Sequence, residues 1–293
     1  MPRLFYCDHH AIPLPPGHKF PTPKYARLRA LLAADGVYRL EPAPLADPAA
    51  VELAHDPAYV RQILDGSIDP RVMRRIGFPW SGQLVRRTLA SVGGTLAATA
   101  DALATGFGGN LAGGTHHASY GEGSGFCVFN DLAISIRVNR RRAAVIDLDV
   151  HQGDGTAAIF EQDTDVLTVS VHGENNFPFR KQRSSLDIPL PDGAGDDAYL
   201  AGVRQALDAV ADFGPELIFY QSGVDGLAED RLGRLRLTHA GLLERDRLVF
   251  DFVHREGTPI VVTLGGGYAD PIDLTVTAHA NTFRAVLDFL KPF

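Results

Sequence analysis

The chain has 293 residues, with 28 basic and 35 acidic side chains, a formal charge of −7, 45% hydrophobic residues and 22% charged ones. This profile excludes an intrinsically disordered chain, and nothing in the charge balance favours a polyanion, so no nucleic-acid partner is expected. No apolar run approaches the ~20 residues that cross a bilayer, so no membrane partner is expected either.

Short apolar runs rich in β-formers alternate with helix-period segments. Leu4 to Cys7 reads as a first strand, followed by a Pro-rich covering loop from Pro13 to Pro23 and a helix from Lys24 to Ala34. Pro57 to Leu64 and Gly82 to Thr105 read as further helices. Ala143 to Val150, Val166 to Val171, Leu217 to Tyr220 and Ile260 to Leu264 are apolar enough to be strands buried on both faces. Helices are expected over Asp197 to Phe213, Gly241 to Glu256 (stopped by Gly257 and Pro259) and Pro271 to Leu290. The alternation predicts an α/β fold with three layers, α/β/α, around a central, mostly parallel sheet. With no repeat and no low-complexity linker, residues 1–293 read as a single domain.

Two cysteines, Cys7 and Cys127, stand far apart and in no metal-like spacing, so no disulfide framework is expected. The N-terminus lacks the apolar stretch of a signal peptide, and a reduced, cytoplasmic setting is the expectation. Glycine is over-represented, at 30 residues. Half of the glycines fall between Gly106 and Gly125 or within Gly153, Gly155, Gly223, Gly226 and Gly265 to Gly267, where polar residues also gather.

Four polar clusters each follow a predicted strand: Gly113 to His117, Asp147 to Asp154, Ser222 to Asp225 and Gly265 to Tyr268. Open α/β sheets bind ligands at that edge. Singly, each cluster has an ordinary reading: turn histidines, a helix-capping Asp225, a tight glycine turn. Together they concentrate acids, imidazoles and glycines at one address. In a continuing strand, Asp147, Asp149 and His151 would share a face. Buried, they need a cation or hydrogen-bond partners. A divalent metal held by Asp149, His151 and Asp225 satisfies this, and so does a metal-free Asp–His pair.

The stretch Gly113-Gly114-Thr-His116-His117-Ala…Gly123-Ser-Gly125-Phe126-Cys127…Asn130-Asp131 resembles the active-site segment of the histone deacetylase family. Ile146-Asp147-Leu-Asp149-Val-His151-Gln-Gly153-Asp154-Gly155 is similar to its metal segment. Ser222-Gly-Val-Asp225…Asp230-Arg231-Leu232-Gly233 and Gly265-Gly-Gly-Tyr268 are similar to later blocks. Order and spacing agree over residues 110 to 270. Gln152, where most members have a second histidine, resembles the class IV branch, and the overall pattern a bacterial-type deacetylase. The resemblance implies an arginase/deacetylase-like fold and an NAD-independent amidohydrolase that removes acetyl or longer acyl groups from lysine side chains by attack of metal-activated water.

It also implies roles. Asp149, His151 and Asp225 match the metal ligands, usually Zn2+, with Fe2+ suited to the same donors. His117 matches the general base and later acid, and His116 its tandem partner. Asp147 and Asp154 match the carboxylates that hydrogen-bond the two histidines, and Tyr268 the donor to the substrate carbonyl. Gly125, Phe126, Phe177, Leu232 and Gly266 match the substrate tunnel, and the loop from His18 to Tyr25 is expected to shape its foot. A structural K+ is implied at Asp147, Asp149, His151, Ser170 and Val171. The expected partner is an acyl-lysine protein or peptide, or a small acylated amine.

Three other readings compete with this one. Arginase-type enzymes resemble an Asp-x-His-x-Asp pattern that supports a second ion, and Gly153 stands at the last position. Acylpolyamine deacetylases of the same superfamily would place a carboxylate at the tunnel mouth, where this chain has Leu232 with Glu229 and Asp230 nearby. A catalytically inactive binding module is opposed by the completeness of the motif set.

Overall fold

Alternate residues of the apolar runs enter two separate cores. Val145, Phe219 and Val261 belong to one, while their neighbours Ile146, Tyr220 and Val262 belong to the other. This is the pattern of a sheet covered on both faces. The computed structural model describes residues 1–290. Its strands are β1 (Arg3–Tyr6), β2 (Arg39–Pro42), β3 (Phe107–Asn110), β4 (Ala143–Asp147), β5 (Val166–Gly173), β6 (Leu186–Leu190), β7 (Leu217–Gln221) and β8 (Ile260–Thr263). They form one sheet in the order β2-β1-β3-β8-β7-β4-β5-β6, and every pairing among the described residues is parallel.

The helices are α1 (Pro23–Asp35), α2 (Pro48–Val51), α3 (Pro57–Asp65), α4 (Pro70–Ile76), α5 (Gly82–Thr105), α6 (Asp131–Asn139), α7 (Asp154–Phe160), α8 (Asp196–Phe213), α9 (His239–Glu256) and α10 (Ile272–Val286). Helices α1, α8, α9 and α10 cover one face, through Leu28, Tyr199, Val249 and Phe283 among others. Helices α2 to α7 cover the other, through Val51, Ile63, Ile76, Leu84, Leu132 and Phe160. Among the described residues, no helix is long and apolar enough to cross a membrane.

Sequence periodicity places the long helices well because their ends carry local signals. Asp56, Ser81 and Thr238 accept backbone N–H bonds at the starts of α3, α5 and α9, and left-handed glycines (Gly66, Gly106 and Gly257) end them. The strands it misses have physical reasons. β3 is Phe-Gly-Gly-Asn, with none of the β-branched residues that mark a strand. Its Gly108 is required because a Cβ there would collide with the Ala98 carbonyl of α5, which lies directly on the sheet. β2 and β6 contain Pro42 and Pro189, and both are edge strands, where a missing N–H donor is tolerated.

His55, between α2 and α3, is fully buried. Its Nε2 accepts the Asn130 N–H at 2.8 Å, and its Nδ1–H donates to the Tyr120 carbonyl at 3.3 Å. Burial lowers its pKa from 6.5 to about 4, so the folded protein holds it neutral. The unfolded chain therefore binds the proton first, and stability falls as pH drops from 6.5 towards 4. The expected loss from His55 alone is on the order of 3 kcal/mol. Urea unfolding of wild type and His55→Gln at pH 7 and pH 4 checks this: the variant should show a correspondingly shallower dependence.

Candidate active site

The four polar clusters follow β3, β4, β7 and β8, which are adjacent in the sheet, so their loops meet over its centre. The predicted strand through Val150 is shorter than expected: β4 ends at Asp147. Asp149 and His151 therefore do not converge by strand alternation. Side-chain-to-backbone bonds turn the chain instead. Asp147 Oδ1 accepts the Asp149 N–H at 3.2 Å, and Asp149 Oδ1 accepts the His151 N–H at 3.0 Å.

Asp225 joins them from the loop after β7, its Oδ1 accepting the Val150 N–H at 2.9 Å. His151 Nδ1 then lies 3.0 Å from Asp149 Oδ1 and 3.0 Å from Asp225 Oδ2. The far oxygen of Asp149 accepts from Gln221 Nε2 and the Gly266 N–H, each at 2.8 Å. All three residues are buried, and one donor atom from each lies within 4.8 Å of the others. Burial and then the neighbouring Asp149 charge raise Asp225 to about 7. Two crowded carboxylates beside an imidazole form the donor set of a divalent cation, and the residues fit one.

A second ion is opposed by Gly153. A Cβ at this position would collide with Asp147 Oδ2, so a side chain here would have to push that carboxylate aside.

The tandem histidines reach the same point from the loop after β3. His116 Nδ1–H donates to Asp147 Oδ2 at 2.7 Å, and His117 Nδ1–H donates to Asp154 Oδ1 at 2.6 Å. Each carboxylate fixes the tautomer and leaves Nε2 of the neutral ring as an acceptor. Burial opposes charge on His116, but Asp147 and Asp149 outweigh it and raise its pKa to about 9. Burial and then the charge on His116 lower His117 to about 4, against the pull of Asp154. The environment thus separates one imidazole that favours holding a proton from one kept neutral with a free lone pair. Asp131 anchors this segment through the Gly114 and Thr115 N–H groups, at 3.1 and 2.8 Å.

Tyr268 is buried and lines the same pocket. Its N–H donates to Asp230 Oδ2 at 2.6 Å, and Arg231 Nε donates to its carbonyl at 3.2 Å. Sequence reasoning missed the support beneath it. Lys24, on α1, reads as a solvent-facing charge but is fully buried, with Nζ donating to the Gly265 and Gly267 carbonyls at 3.2 and 3.4 Å. Burial lowers its pKa to about 8, with Asp225 and Asp149 opposing.

The pocket mouth is lined by Gly125, Phe126, Phe177 and Leu232 together with His117 and Tyr268. Phe177 stands edge-on to the His117 ring, with centroids 4.9 Å apart. Phe126 adopts a left-handed backbone (φ 66°), held by its N–H bond to the Ile76 carbonyl. Gly266 lies deeper, on the floor beside Asp149 and Asp225. Phe20 and Tyr25, from the loop expected at the foot, line the inner pocket. Gln152 makes two bonds to the Gln182 backbone and one to Asp187, fixing the segment that follows Phe177. Ser170 pairs in register with Asp147 across β4 and β5, and Val171 follows it.

The histone deacetylase domain matches residues 18–283. An uncharacterized protein of Picosynechococcus sp. is 46% identical, over 97% of this chain and 98% of its own. Histone deacetylase 2 of Arabidopsis thaliana is 29% identical, over 86% of this chain and 70% of its own. The crystal structure of an acetylpolyamine aminohydrolase from Burkholderia pseudomallei superposes with a TM-score of 0.78 at 22% identity, covering 97% of this chain and 98% of that one, and so shares the three-layer arginase/deacetylase fold. With a domain match that spans β2 to β8, the tandem histidines and the Asp–His–Asp group, this chain belongs to the histone deacetylase family of amidohydrolases.

Proposed function

We propose that the protein is a metal-dependent lysine deacylase, with Asp149, His151 and Asp225 holding Zn2+ or Fe2+. When bound, such an ion supplies Lewis-acid polarisation of the amide carbonyl and acidifies water. His117 Nε2 takes the proton of the attacking water and returns it to the leaving amine, while Asp154 steadies the imidazolium. His116 keeps its proton through Asp147 and offers positive charge to the developing oxyanion. Tyr268 donates its hydroxyl to that oxygen. Phe126 and Phe177 clasp the lysine stem and keep bulk water from the reacting bond. Asp147, Asp149 and His151, with Ser170 and Val171, would hold a structural K+.

The observation that favours acyl-lysine over acylpolyamine is the character of the mouth. Among the described residues, no carboxylate lines it, and Arg75 and Arg234 stand at its rim. Asp230, the nearby acid, is buried and spends its oxygens on the N–H groups of Leu232, Gly233 and Tyr268, at 2.8, 3.0 and 2.6 Å. Those arginines are paired, Arg75 with Glu122 and Arg234 with Asp192 at 3.1 Å, so neither neighbouring carboxylate is free to receive a second ammonium. Acetyl-lysine peptide, acetylspermidine and acetylputrescine assayed with defined Zn2+ or Fe2+ loading test this. Faster turnover of either acylpolyamine overturns the lysine reading.

Tyr268→Phe is expected to lower kcat by about 10²–10³-fold with KM little changed, since the hydroxyl is used only as the oxyanion forms. Equal kcat in steady-state assays would remove Tyr268 from that role.

A further inference from the structure

The pocket does not end at the catalytic groups. It continues inward past Tyr268 and Cys127 to a chamber walled by Ile12, Phe20, Phe78 and Leu84 on its apolar side. Its other wall is Arg87 of α5, with the Thr88 and Tyr25 hydroxyls nearby. Arg87 is only 8% exposed, and its guanidinium carbon lies 4.4 Å from the Tyr25 ring centroid. Among the described residues, no carboxylate comes within 4 Å of it, the separation that defines an ion pair. The acids on the neighbouring elements bind other groups, although Asp8 Oδ1 is buried with no hydrogen-bond partner. Asp131 binds Thr95, Gly114 and Thr115, and Asp8 pairs with Arg29 at 2.9 Å. Buried Lys24 lies on the same side, 5.2 Å from the Tyr25 ring centroid. A buried guanidinium without a counter-charge is costly, and a ligand that brings an anion removes the cost.

We propose that Arg87 is a specificity residue for short acyl groups that end in a carboxylate, such as succinyl or glutaryl. The inference rests on the deacylase reading above. The methylene stem lies against the apolar wall, and the terminal carboxylate meets the planar guanidinium fork, which suits two parallel hydrogen bonds. The pocket encloses about 90 Å³. This small volume, shared by the catalytic groups and the chamber, favours a short acyl chain over a fatty one. Hydrolysis consumes one water and releases the dicarboxylate and the free lysine amine.

The test compares peptides carrying Nε-glutaryl-lysine and Nε-pentanoyl-lysine, which match in carbon count and differ in the terminal charge. Wild type should prefer glutaryl, and Arg87→Met should lower the ratio of the two kcat/KM values about 100-fold, the scale of one hydrogen bond to a charged group. Arg87→Lys, which restores the charge without the fork, should recover part of the ratio and guards against a folding defect in the methionine variant. Calorimetric binding of both peptides to metal-loaded His117→Ala protein, with and without Arg87→Met, gives a readout independent of turnover. Glutaryl preference in binding that Arg87→Met removes, with no acyl-lysine hydrolysed by wild type, would sustain the Arg87 site and sink the deacylase reading. Hydrolysis without charge preference, an equal loss on both peptides, or an effect confined to inhibition by free acetate would overturn the Arg87 proposal and leave the deacylase reading standing.

Discussion

His117→Ala is expected to lower kcat by about 10²–10⁴-fold, the range that a positioned acid–base group supplies. The assignment follows from the contrast between the tandem rings, whose centroids are 4.1 Å apart. Burial opposes charge on His116, but Asp147 and Asp149 raise its pKa to about 9, which makes it the less available base of the pair near neutral pH. His117, lowered to about 4 by burial and the charge on His116, keeps a free lone pair there. A divalent cation beside it pushes in the same direction. The acid limb of kcat/KM in the wild-type enzyme should accordingly lie below the ordinary histidine value of 6.5. Steady-state kinetics from pH 4 to 9 on metal-loaded wild type and variant measure both effects. An alanine variant with wild-type turnover would take the base role away from His117.

The largest expected stability effect lies behind the site. Arg245 is fully buried and donates to Asp246 Oδ1 from Nε at 3.0 Å and from a terminal nitrogen at 2.9 Å. Asp246 also accepts from Tyr220 at 2.6 Å and from Thr282 at 2.8 Å, joining β7, α9 and α10. Asp246→Asn leaves the guanidinium without its counter-charge, at an expected cost of about 3–5 kcal/mol. Replacing both residues by apolar ones of similar volume should recover much of that loss. Denaturant unfolding of the single and double variants reads the difference. Arg245 also donates to the Gly223 carbonyl at 2.5 Å, two residues before Asp225. Metal affinity should therefore fall with stability in the single variant.

Much of this arrangement is legible in the sequence because its signals are local. Capping residues and terminal glycines bound the long helices, and acid–imidazole–glycine clusters follow the strands that point to the site. The hydrogen-bonded turn at Asp147 is less legible. A strand and a chain of aspartate turns both bring alternate residues together, so the convergence of Asp149 and His151 is foreseen while its cause is not. The glycine strand β3 lacks the residue types that announce a strand, since α5 leaves no room for them. Lys24, Arg87 and Arg245 are invisible for a different reason. A cation on a helix reads as a solvent-facing charge, and only the packing of distant elements buries it.

The crowding at Gly153 also bears on how enzymes of this fold could exchange chemistries. Introducing the carboxylate that a second ion would need there forces Asp147 aside, and Asp147 is the acceptor that orients His116. A side chain added at Gly153 thus disturbs the pairing that orients His116 before it can contribute to binding an ion of its own.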